Sequence, residues 1–327
     1  MPSADAMTER CMQFDGGVAQ GWPHVTARDR MFTPELFAQA LIAGIVIGVI
    51  YALMALGITF IYSIVKMINW SMGEFYMIGS YVQYFVVVYL LGPDLWYVAA
   101  ILSAVTVFVI GFLIEPILIK PMFTGGIERK DDYATVVTIA LLLLLRNLAT
   151  ALSGPYQRTP GSNLPTVMLG PLPESGARLA AGLCALGAIA LFALLLRRSW
   201  LGLALRATSQ SRVGAQTAGV DVLALDKIAF GIGVGLAGLA GALLAPVFMV
   251  YPTNGVVTTT KGFEIIVIGG LGSIPGALIA GLALGVVESL GATFIASAYQ
   301  NVYGFVLLLL VLALRPSGLF GERLRQA

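Results

Sequence analysis

From Leu36 onward, long apolar stretches alternate with short polar ones. The apolar runs cover roughly 36–65, 75–91, 95–119, 134–152, 178–196, 228–250, 263–296 and 301–314. About 20 apolar residues carry a helix across the ~30 Å hydrocarbon layer of a bilayer. The runs do not alternate apolar and polar at period two, which excludes a transmembrane β-barrel. The pattern therefore predicts an all-α, polytopic transmembrane bundle of about eight to nine spanning helices. The 263–296 run is too long for one helix and is interrupted by Gly269, Gly270, Gly272, Pro275 and Gly276. We read it as a short or re-entrant segment followed by a full helix, with 251–262 as a loop before it. Broken backbone at membrane depth is tolerated only where protein or a water-filled cavity surrounds it.

Composition agrees with that pattern. The 327 residues are 58% hydrophobic and 11% charged, with a mean hydropathy of +0.89. Soluble domains carry about 25% charged residues, so a soluble enzyme and a disordered chain are both excluded. A net charge of +2 points to no nucleic-acid partner. Cys11 and Cys184 make no disulfide framework, and Cys184 reads as a small core residue. One histidine, His24, and no Cys/His cluster give a metal site no support.

Where the few charges fall is more informative. Residues 1–33 are polar with no apolar run. They read as a disordered N-terminal tail or an upstream extension ahead of Met31, and 322–327 as a C-terminal tail. Loops 120–133, 197–227 and the stretch after 314 hold 11 of the 19 basic residues. Cytoplasmic loops are rich in Lys and Arg, so these three, including the C-terminus, are predicted inside, and 153–177 outside. The favoured count is nine crossings, which places the N-terminal segment outside. Glycines at small-residue spacing (Gly44/Gly48, Gly231/Gly235, Gly281/Gly285) mark close helix packing.

Polar groups inside spans face a bundle interior or a cavity, or sit at its edge. Asn69, Ser71 and Glu74 lie between the first two runs. Glu74 either borders a path or sits at the interface, where a helix N-terminus favours a carboxylate. Glu115 reads as an interfacial cap and Arg146 as snorkelling to headgroups. Lys261 and Glu264, three apart, pair on one face. Glu288 is the best intramembrane candidate. In loop 197–227, Arg206–Ala218 reads as one short basic helix ended by Gly219. Such a helix either docks in a groove of a partner or lies on anionic lipid.

Several blocks carry a family resemblance: YALMALG (Tyr51–Gly57), MINWSMGEFYMIGSYV (Met67–Val82), GLALRA (Gly202–Ala207) with AQTAGV (Ala215–Val220), KGFEIIVIGGLGSIPGALIAGLALGVVES (Lys261–Ser289) and RPSGLFG (Arg315–Gly321). The chain resembles, over nearly all of 34–321, the LivH-type permease subunits of branched-chain amino-acid ABC importers. The resemblance implies a ribose/branched-chain-type ABC permease in a bacterial inner membrane. It implies two ATP-binding cassette subunits, a second related permease and a periplasmic substrate-binding protein as partners, besides membrane lipid. It makes 197–227 a coupling loop, with Arg206, Ala207, Arg212, Ala215 and Gly219 contacting the ATPases. Asn69, Ser71, Glu74, Gly269, Gly270, Gly272, Pro275 and Glu288 become the expected translocation path. The chain has no G-x-x-x-x-G-K-[ST] phosphate loop. It would hold no cofactor itself and be no enzyme, with ATP and Mg bound by partner chains. Ser71-Met72 precede Gly73-Glu74 where the family often has an Ala-His or similar pair. That leaves urea, short amides and aromatic acids open as substrates beside branched-chain amino acids. A stand-alone secondary transporter or channel is the reading from another class.

Overall fold

The computed structural model describes residues 33–169 and 172–321. The expectations for the N-terminal tail up to residue 32 and for 322–327 lie outside the described residues. The elements are α1 (Pro34–Val65), α2 (Met72–Val86, continued by a π turn to Leu91), α3 (Trp96–Leu118), α4 (Pro121–Thr124) and α5 (Lys130–Ser153). A two-stranded antiparallel hairpin follows, β1 (Val167–Leu169) and β2 (Leu172–Glu174), with Val167 opposite Glu174. Then come α6 (Gly176–Arg198), α7 (Trp200–Gln210), α8 (Arg212–Thr217), α9 (Val222–Leu244), α10 (Asn254–Gly269), α11 (Ile274–Phe294) and α12 (Gln300–Leu314).

Among the described residues, eight helical segments are long and apolar enough to cross a membrane. This is a multi-pass, all-α membrane protein. The core is built from α1, α2, α9, α10 and α11, while the outer faces of α3, α5, α6 and α12 carry exposed leucine, valine and isoleucine. Cys184 sits on such a face and is exposed, not in the core as its apolar neighbours suggest. A helix bathed in lipid is apolar all round, so hydropathy cannot say which side faces protein.

The ends of the bundle are distinct. At one, the hairpin meets α1 (Gln39 Nε2 donates to the Pro173 carbonyl at 3.1 Å), and Arg158 pairs with Val250 through backbone bonds. At the other lie α7, α8, the end of α1 and residues 318–321. Residues 318–321 clamp the end of α10, with Leu319 N and Phe320 N donating to the carbonyls of Ile268 and Gly269 at 2.8 and 3.0 Å. Between Val250 and this clamp, α10 travels most of the bundle in 16 residues, about 24 Å of helix. The helix starts at Asn254, so 251–262 is not a loop. At 16 residues α10 is shorter than the eight apolar spans, and the polar side of NGVVTTTKGF meets α2 and α11. With α10 counted, the described residues form nine long helical segments.

The break expected within the 263–296 run falls at Gly270–Ser273, with a short helix before it and a full one after. Pro275 is not itself the break. It occupies the first turn of α11, where proline costs no hydrogen bond, and Ser273 caps that turn by accepting from Gly276 N at 3.2 Å. The basic helix expected over Arg206–Ala218 is split in two at Ser211, whose hydroxyl caps α8 by accepting from Gly214 N at 3.0 Å. Gly219 does end it. Its φ of 84°, with Gly219 N bonded to the Gln216 carbonyl and Val220 N to the Ala215 carbonyl, is a Schellman cap.

Glycine sets the tightest packing. A side chain on Gly48 would meet the backbone of Leu282 at 2.9 Å, and one on Gly44 that of Val286 at 2.8 Å. Two of the glycine pairs visible in the sequence, Gly44/Gly48 and Gly281/Gly285, thus belong to one interface between α1 and α11. The third, Gly231/Gly235, receives Phe108 of α3.

Candidate functional site

Three buried ionic groups stand out. In the first, Glu74 occupies the first turn of α2 and is fully buried. Arg146 of α5 reaches it with Nε and Nη2, both donating to Oε1 at 3.2 and 2.7 Å. Arg146 therefore does not snorkel. A carboxylate 72 residues away holds it inward, because α2 and α5 pack side by side. Asn69 is also buried and closes a local turn, its Oδ1 accepting from Ser71 N and Oγ at 3.0 and 2.7 Å. The next residue, Trp70, packs at a tilt against Phe263 of α10, with 4.8 Å between centroids and 48° between ring planes.

The second group joins α10, α11, α1 and α12. Lys261 Nζ donates to Glu288 Oε1 and lies 3.7 Å from Glu264 Oε2, all three side chains being at most 3% exposed. Tyr51 OH and Gln300 Nε2 approach Glu288 Oε2 at 3.4 and 3.5 Å. The pairing of Lys261 with Glu264 is present, and Glu288 is its stronger partner.

The third group fastens α8 to the bundle. Arg212 donates from Nη1 and Nη2 to the two oxygens of Asp226 at 2.9 and 2.6 Å, and from Nη1 to the Ile64 carbonyl at 3.0 Å. Its guanidinium also lies 4.2 Å from the Phe123 ring centroid. One side chain thus ties α8 to the end of α1, the start of α9 and α4. Nearby, Glu115 is buried in the last turn of α3. Lys227 lies over the Phe112 ring at 3.8 Å.

The residues expected to couple divide by direction. Arg206 and Gly219 are exposed, Ala215 is buried, Ala207 is half-buried, and Arg212 points inward to Asp226. The exposed rim of α8 is Val213, Gly214, Gln216 and Thr217, continuing to Gly219. The residues expected along the path do not form one cluster. Glu74 bonds α5 and Glu288 bonds α10, while Gly269, Gly270, Gly272 and Pro275 lie together in the α10–α11 turn. That turn sits at the α7–α8 end against Gly318–Gly321, and a side chain on Gly272 would meet the Tyr62 ring at 3.5 Å. Sequence reasoning missed Asp226, Tyr51, Asn254 and Gln300. An acid four residues inside an apolar helix was the available signal for Asp226. The other three carry none.

A model of the family described as branched-chain amino acid transport system / permease component matches residues 40–314, from within α1 to the end of α12. The chain belongs to that family. It is 32% identical over 303 residues to the high-affinity branched-chain amino acid transport system permease protein LivH of Salmonella typhimurium, across 88% of this chain and 96% of the relative. It is 33% identical over 308 residues to BraD of Pseudomonas aeruginosa, named likewise a high-affinity branched-chain amino acid transport permease, across 88% and 98%. A more distant relative is the probable branched-chain amino acid transport permease LivH of Methanocaldococcus jannaschii, at 28% over 308 residues. No solved structure matches the chain. Within this permease family, the three ionic groups lie inside the matched region.

Proposed function

We propose that the chain is the membrane-spanning permease subunit of an ATP-driven importer of branched-chain or related amino acids in a bacterial inner membrane. Similarity along 88% of the chain to permeases named for that transport carries the reading. In it, two ATPase subunits bind beneath the α7–α8 face, a second related permease completes the path, and a periplasmic binding protein delivers substrate to the hairpin end. The concentration of Lys and Arg in 120–133, 197–227 and after 314 supports a cytoplasmic α7–α8 face and C-terminus.

The mechanism follows from the fastening of α8. Closure of the ATPases pushes on the exposed rim of α8. A short helix held only by apolar contact would slide, but Arg212 grips a buried carboxylate and a backbone carbonyl at once. The push therefore reaches the end of α1 and the start of α9 together. Those helices form the core against α10 and α11, so their movement changes the space around the Lys261 group. The small-residue contacts between α1 and α11 let the two helices stay in register as they move.

The test is reconstitution of the permeases, ATPases and binding protein in proteoliposomes. ATP-dependent uptake of labelled leucine is expected, and it should stop when the ATPases carry an inactivating Walker-A lysine substitution. Leucine uptake that persists with disabled ATPases would establish a secondary transporter instead. Uptake of urea or a short amide without leucine would overturn the substrate.

A further inference from the structure

Two cavities meet at a charged wall inside the bundle. One, of about 320 Å³, lies among α1, α6 and α11, and its lining includes Gln39, Glu174, Arg178 and Glu288. The other, of about 220 Å³, lies among α1, α2, α9 and α10. Lys261, Asn254 and Tyr51 line it beside the apolar side chains of Ile50, Met54 and Val257. Phe248 and Gln300 line both. The bonded pair Lys261–Glu288 therefore stands between them, its cation on one cavity and its acid on the other.

The wall is unbalanced. Two carboxylates, Glu264 and Glu288, face one ammonium, and among the described residues neither oxygen of Glu264 has a donor at hydrogen-bonding distance. On the second cavity, Asn254 is 8% exposed and its Oδ1 has no partner among the described residues. Its amide nitrogen donates to Ser80 Oγ at 3.3 Å. Buried polar atoms left this way are rare unless a ligand or water completes them.

Opening a buried ion pair is costly because each charge is left alone. It becomes cheap only for a ligand that re-pairs both. A zwitterion does so: its carboxylate takes Lys261 Nζ and its ammonium takes Glu288 and the surplus carboxylate of Glu264. No net charge enters the bundle. A neutral amide or urea re-pairs neither end. An amine alone strands Lys261, and a carboxylate alone strands two acids. The space beside Ile50, Met54 and Val257 receives a small aliphatic side chain, and at about 220 Å³ it is below the ~300–1,000 Å³ of drug-sized pockets.

We propose that Lys261, Glu264 and Glu288, with the cavity beside Lys261, form a binding site within this subunit for a zwitterionic α-amino acid bearing a short aliphatic side chain. The proposal rests on the permease reading and narrows it, by excluding neutral amides through charge.

The test uses the permease–ATPase complex in nanodiscs, without the binding protein, and equilibrium binding of labelled L-leucine. Competition is measured with leucinamide (no carboxylate), 4-methylpentanoic acid (no ammonium) and 4-methylpentanamide (neither). Leucine is expected to compete at least tenfold better than each analogue. Lys261→Met and Glu288→Gln should each weaken leucine binding at least tenfold in complexes that still retain their ATPases. The analogue series on the unsubstituted complex decides the matter if those variants do not assemble. Equal competition by the analogues overturns the site, as does unchanged leucine binding in both variants. So does absence of saturable binding in a complex that takes up leucine once the binding protein is added. A complete importer that takes up urea and not leucine overturns the permease-substrate reading, and the site with it.

Discussion

Replacing Arg212 with alanine removes the only side chain among the described residues bonded to Asp226, which is fully buried. Breaking a buried ion pair from one side costs about 3–5 kcal/mol, because the remaining charge has no compensation. The Arg212 side chain is 24% exposed, so water enters part of the vacated space and the lower end, about 3 kcal/mol, applies. Losing the bond to the Ile64 carbonyl adds about 1 kcal/mol. The expected destabilisation is about 4 kcal/mol, or roughly 8–16 °C in apparent melting temperature at about 2–4 °C per kcal/mol. Asp226→Ala costs less, about 1–2 kcal/mol, because a part-exposed guanidinium retains the carbonyl and water. The double variant contains no stranded acid. It should lie well above the sum of the singles, with an interaction energy of about 2–3 kcal/mol. Arg212→Lys keeps the charge but cannot bracket two oxygens and a carbonyl at once, and belongs between wild type and alanine. The assay is thermal unfolding of the purified chain, followed by its fluorescence and by size exclusion. Strict additivity of the two alanine variants, or a wild-type melting point for Arg212→Ala, would refute the bracket. In the reconstituted importer, Arg212→Lys should retain its ATPases yet move less leucine per ATP.

Arg146→Ala strands the buried Glu74 in the same way, and about 3 kcal/mol should be lost; adding Glu74→Gln should recover part of the melting temperature, and no recovery would mean that Arg146 acts only through packing. Gly48→Leu places a side chain against the Leu282 backbone, which cannot give way, so α1 and α11 must part at a cost of about 1–3 kcal/mol or more. Its yield of monodisperse protein in detergent should fall sharply. Gly219→Leu meets open space but forces a φ of 84°, a strain of about 1–2 kcal/mol on an exposed cap. It should fold and lose ATPase co-purification, and unchanged co-purification with unchanged uptake would sink the coupling role of that turn.

Hydropathy along the chain determines the fold class, the positions of most helices and the small-residue faces, because lipid requires a continuous apolar run and a satisfied backbone at each crossing. The cap at Gly219 was equally legible, since a left-handed residue after a helix is a local demand of the backbone. Partnerships were not. Arg146 finds Glu74 across 72 residues, and Lys261 finds Glu288 across 27. Arg212 turns away from the surface that its basic neighbourhood suggested. A charge in a low-dielectric interior takes whatever opposite charge the packing brings within reach, and packing is a property of helix positions rather than of spacing in sequence. The start of α10 was hidden for the same reason. Its first turns are polar because they face protein and a cavity, and a scale that measures transfer into lipid cannot recognise a helix whose solvent is the rest of the bundle.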